Sequence, residues 1–101
     1  MNPNEASANK WKNITTNGLT STPGKLVLIA IVVNTKGGSS NTAKIYDDAS
    51  GDESPERLIA TIDTTASVGR IEYGLPMYRG INIRMATGTA ANLTLIYSET
   101  P

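Results

Sequence analysis

The chain has 101 residues, the size of one domain, and is too short to keep a second core behind a linker. Nine Lys and Arg balance nine Asp and Glu with no block of like charge, which speaks against a nucleic-acid binder, since that needs a basic stripe to neutralise phosphates. Cys and His are both absent, which excludes a disulfide framework, a thiolate metal site and the commonest catalytic base, and no cofactor is expected.

Met1 to Lys10 is polar, carries Pro3 and has no apolar period. It reads as an arm over residues 1–11 that ends in Trp11, with one β-sandwich domain over 12–101. The arm lacks the basic and apolar regions of a secretory signal, and the longest apolar stretch, Leu26 to Val33, is far too short to span a bilayer. Neither export nor membrane association is expected.

Lys12 to Asn17 is a short strand candidate closed by Gly18, and the Thr, Ser, Pro and Gly residues up to Gly24 read as a turn. Leu26 to Val33 is apolar at every position and mostly β-branched, the mark of a central strand covered on both faces. A two-residue period sets Leu26, Leu28, Ala30 and Val32 on one face and Val27, Ile29, Ile31 and Val33 on the other. One face belongs to the core; the other calls for a second sheet or a second subunit.

Lys36 to Ser40 is a connection, and Thr42 to Tyr46 a strand that runs into the acidic loop Asp47 to Glu56. Arg57 to Ile62 follows, with Leu58, Ala60 and Ile62 on one face. Gly69 to Tyr73 alternates until Gly74 and Pro76 interrupt it. Gly80 to Met85 turns Ile81, Ile83 and Met85 inward, and Ala91 to Tyr97 groups Leu93, Leu95 and Tyr97. About seven or eight short strands without an amphipathic helix predict an all-β, antiparallel, jelly-roll-like sandwich.

Several residue groups are candidates for chemistry, each with a plainer reading beside it. Asp47, Asp48, Asp52, Glu53 and Glu56 offer hard oxygen ligands around Gly51, but lack EF-hand spacing, and the same residues are what a solvated turn requires. Asp63 with Glu72 is formally a carboxylate dyad, and a Ser-Lys pair is formally open; isolated carboxylates on strands are usually only solvated. The sequons at Asn13 and Asn92 fall in strands. Lys10, Trp11 and Lys12 are read either as an anchor for a partner or as a cap on the open end of the core. Met77, Tyr78 and Arg79 gather three interface-prone residue types in one loop, or form a core plug with a surface Arg.

The succession Pro23-Gly24-Lys25 before a long apolar strand, Ala43-Lys-Ile-Tyr-Asp47, Ile59-Ala-Thr-Ile-Asp63, Tyr73-Gly74, Met77-Tyr-Arg-Gly80-Ile81, Thr87-Gly-Thr89 and Leu93-Thr-Leu-Ile-Tyr97 resembles small bacteriophage virion proteins of the head decoration, or cement, type. The resemblance runs from about Gly18 to Ser98. It implies a sandwich on the outer surface of the capsid, bound to the major capsid protein, commonly as a homotrimer at three-fold positions, with the host cytoplasm as the place of assembly. It also implies a structural part with no catalytic residues. Two alternatives remain beside it: a tail, baseplate, head-fibre or glycan-binding module, glycan binding being favoured if an exposed Tyr46 or Tyr78 flanks an acidic groove, and a small hydrolase or lyase.

Overall fold

The computed structural model describes residues 9–99 and contains eight strands: β1 (Asn9–Ile14), β2 (Gly18–Pro23), β3 (Leu26–Thr35), β4 (Thr42–Tyr46), β5 (Leu58–Asp63), β6 (Gly69–Met77), β7 (Gly80–Ala86) and β8 (Asn92–Glu99). One turn of 3₁₀ helix, Pro55–Arg57, precedes β5. Sheet A has the order β1-β8-β3-β6 and sheet B the order β2-β7-β4-β5, with every pairing antiparallel. Strands one to four and five to eight alternate between the sheets as two interleaved Greek keys, so the predicted sandwich is a jelly roll.

The core lies between the sheets. Ile81, Ile83 and Met85 of β7 and Leu93 and Leu95 of β8 meet Leu28, Ile31, Ala43 and Ile45, all essentially without solvent contact. The inward sets expected for β7 and β8 are those observed, because the inward positions of each strand keep an unbroken two-residue period.

Four local expectations are corrected. The arm read over 1–11 is a strand from Asn9 onward, since the free edge of β8 supplies backbone partners whatever the side chains are; residues 1–8 lie outside the described residues. Gly18 to Pro23 is strand β2 instead of a turn. β6 continues through Gly74 and Pro76 to Met77, because it is an edge strand and tolerates a residue without an N–H. The faces of β3 also change partway: Leu28 pairs with Tyr97 but Ala30 with Ile96, so Ile29 is an extra residue. This bulge turns Leu26, Leu28, Ile31 and Val33 inward and leaves Val27, Ala30 and Val32 outward.

The two ends of the sandwich differ. The end that holds Gly24, Tyr78 and the loop 47–57 carries most of the charge. The opposite end is uncharged at its centre and is organised by Asn41, which is fully buried. Its Nδ2 donates to Asn17 Oδ1 at 2.9 Å, Ala86 O at 3.1 Å and Thr87 O at 2.8 Å. Thr64 Oγ1 donates to Asn41 Oδ1 at 2.6 Å, so one side chain joins four connections between strands.

Candidate functional site

The loop after β4 folds back over the outer face of sheet B. Asn82, outward on β7, donates from Nδ2 to Ala49 O and Asp52 O, both at 2.6 Å. Arg84, two residues further along the same face, binds Glu53 through Nε at 3.0 Å and through a second nitrogen. Gly51 N donates to Ser21 Oγ of β2 at 3.2 Å. The loop is thus fixed to both neighbouring strands.

Three of its carboxylates, Asp47, Asp48 and Glu53, hold separate donors, and Asp52 and Glu56 are exposed. Asp48 is buried and accepts from Ala49 N at 3.0 Å and Ser54 N at 2.8 Å. Asp47 accepts from Tyr78 N at 3.1 Å and Arg79 N at 2.8 Å. Among the described residues no three acidic side chains converge as a metal would need, so the arrangement matches a braced turn. The Asp63 and Glu72 dyad does not form either: Asp63 accepts from Thr65 N and Oγ1 at the end of β5, whereas Glu72 pairs with Arg70 on the outer face of sheet A.

These contacts hold the carboxyls of Asp48, Glu53 and Asp63 below their ordinary ranges. The Ser54 amide does so first for Asp48, the Arg84 guanidinium for Glu53 and the Thr65 hydroxyl for Asp63. A depressed folded-state pKa contributes stability that is complete above the unfolded pKa and is lost as pH falls through the folded value. The melting temperature is therefore expected to be flat from about pH 7 to about pH 5 and to fall below about pH 4. Circular dichroism melts across that range check this, and an unchanged melting temperature at about pH 3 would count against these contacts.

Asp47 makes the β6–β7 turn rigid. Besides the two amides it holds, Arg79 O accepts from Gly24 N at 3.2 Å. Gly80, at φ +149°, packs so closely that a Cβ there would stand 2.8 Å from Asp48 O and from Thr22 O. On this mount Tyr78 is 66 % exposed and Arg79 is exposed beside it. Met77 is the exception to the expected trio: it is 1 % exposed, closes the core and offers nothing to a partner.

The other expected trio also divides. Lys10 pairs with Glu99 at 2.9 Å, and Lys12 Nζ reaches across to Thr22 Oγ1 of the facing sheet at 2.8 Å. Lys12 braces the open side of the sandwich, whereas the Lys10 pair is an exposed one between β1 and β8 of the same sheet. Trp11 turns the opposite way, onto the outer face of sheet A, and is 72 % exposed. It heads a row that crosses the sheet through Ile96 and Ala30 to Glu72. The next row is Asn13, Thr94, Val32 and Arg70. Trp11 and the Tyr78 turn thus belong to opposite edges of sheet A, three strand spacings or about 14 Å apart.

Sequence reasoning missed Ile96 and Asn82, whose roles depend on register and on a distant loop. Of the two tyrosines offered for a glycan groove, Tyr46 is 8 % exposed and only Tyr78 reaches solvent. Among the described residues no cavity opens in the sandwich. The chain matches no protein-family model and no curated protein.

Proposed function

We propose that the protein is a structural part of a phage virion, a decoration protein that binds the outer surface of the head through its β6–β7 turn. The observation that carries this reading is the turn itself: an exposed Tyr78 and Arg79 whose backbone is already held by Asp47, Gly24 and the close packing at Gly80. Tyr and Arg are the residue types that dominate binding hot spots, and a fixed backbone removes much of the ordering cost of docking. The resemblance to cement proteins over most of the chain supports the same reading. No chemistry on a substrate enters. Many copies, each adding a small contact to neighbouring capsid subunits, raise the cost of separating those subunits.

Sedimentation with expanded heads of the encoding phage tests this. The purified chain is expected to pellet with heads, and Tyr78→Ala with Arg79→Ala to weaken that binding at least tenfold while the melting temperature moves little, since neither side chain is buried. A chain that stays in the supernatant, or a double variant that binds as the parent does, overturns the proposal.

A further inference from the structure

Asn17 and Gly18 form the only Asn-Gly step in the sequence. Such a step is chemically labile, because a glycine amide, with no Cβ beside it, is the least hindered nucleophile that can reach the side-chain carbonyl of the residue before it. The other asparagines of the described chain precede lysine, threonine, isoleucine or leucine, whose side chains obstruct that approach.

The fold uses both members of the step. Gly18 opens β2 at φ +126°, a conformation that an L side chain rarely adopts. Asn17 belongs to the network around Asn41: its Nδ2 donates to Gly88 O at 3.0 Å, and its Oδ1 accepts from Asn41 Nδ2 at 2.9 Å. The labile pair is thus built into the turn from β1 to β2. Asn17 is exposed, and nothing lies within 4 Å of the place that a Cβ on Gly18 would occupy, so water reaches one side of the step. Both ends of the Asn17 amide are tied down, however. Its Cγ turns toward the Gly18 nitrogen only when both hydrogen bonds are released.

We infer that Asn17 is a site of spontaneous deamidation, gated by local opening of the end that Asn41 organises. In the opened end a base removes the Gly18 amide proton, the Gly18 nitrogen attacks Asn17 Cγ, and the Cγ–Nδ2 bond breaks as ammonia leaves with a proton from solvent. The cyclic succinimide then takes up water at either carbonyl and opens to aspartate or isoaspartate. The net change is one water consumed and one ammonia released, with nothing oxidised or reduced. Either product loses the donor to Gly88 O. Aspartate sets a carboxylate oxygen against that carbonyl, and isoaspartate adds a carbon to the main chain just before β2. Modification therefore loosens the end of the sandwich whose opening permitted it, in one direction only. The site stands independently of what the Tyr78 turn binds.

The whole chain, kept at about pH 8 and about 37 °C either folded or in guanidinium chloride, is digested and read by mass spectrometry for the gain of about 1 Da at each asparagine. Asn17 is expected to react first in both states, and at least about tenfold more slowly in the folded chain, the effect of two hydrogen bonds of ordinary strength. Asn41→Ala removes the donor to Asn17 Oδ1 and should speed the folded reaction at least about fivefold. Thr64→Val frees Asn41 Oδ1 from its anchor and should act in the same direction with less disturbance of the fold. Gly51→Ala, at the opposite end, should leave the rate unchanged. Asn17→Asp, the equivalent of one product, should lower the melting temperature by about 5 °C. Faster reaction at another asparagine, equal rates in the folded and unfolded chain, or no acceleration in either Asn41→Ala or Thr64→Val overturns the proposal. An Asn17→Asp chain that melts with the parent overturns the loosening.

Discussion

Replacing Asn41 by Ala is expected to remove about 2 to 4 kcal/mol of stability and to lower the melting temperature by more than about 8 °C. The side chain is fully buried, and its loss leaves Ala86 O and Thr87 O without this donor and the Thr64 hydroxyl with only the backbone O of residue 41 to donate to. Each orphaned group costs roughly 1 to 3 kcal/mol, carbonyls toward the lower end. Asn41→Asp should be as severe, although it is nearly isosteric and can still accept from Thr64. It replaces a donor by a carboxylate oxygen facing two carbonyl oxygens. Denaturant unfolding of both variants decides the matter: a loss under about 1 kcal/mol in either would mean that the amide network does not hold this end of the sandwich.

Gly88→Ala should cost about 2 to 4 kcal/mol, for a different reason. Thr87 and Gly88 are both left-handed, at φ +71° and +61°, and carry the chain from β7 toward β8. Ala at such a φ costs about 1 kcal/mol. The larger part is steric: the added Cβ would overlap Gly38 O and stand 2.5 Å from Ser39 O, both backbone atoms of the β3–β4 connection. Those atoms cannot turn aside, because Gly38 exchanges hydrogen bonds with Thr89 in both directions, at 3.0 Å each. Gly51 provides the comparison, with φ +85° and nothing within 4 Å of an added methyl group, so Gly51→Ala should lose only about 1 kcal/mol. Gly88→Asn separates the two causes. Asn accepts the left-handed region readily, so a near-neutral result would place the effect in φ alone and remove the steric account.

Both ends of the molecule use the same device, a polar side chain that ties connections of different sheets, and the Asp47 end leaves Tyr78 and Arg79 exposed. Asn41 is enclosed by its turns; Asp47 holds a turn and leaves Tyr78 and Arg79 in solvent. The exposed end is therefore braced as well, as the proposed docking through a preformed surface would need.

By itself the sequence determined the all-β class, most of the strands, and the inward sets of β7 and β8, because alternation over one buried face is a local property that a single strand displays completely. The acidic loop could be read as a turn for the same local reason. Tertiary structure alone decided where β3 changes face, since its bulge exists only against β8, and whether Gly18 to Pro23 and Gly74 to Met77 are strands, since an edge needs just one neighbour and tolerates Gly and Pro. It likewise decided that Lys12 braces the two sheets, that Met77 fills the core and that Trp11 alone of its trio lies on the outer face of sheet A. Each of those outcomes depends on a partner brought in from elsewhere in the chain, and a one-residue change of register moves a side chain from the core to the surface without altering its neighbours in sequence.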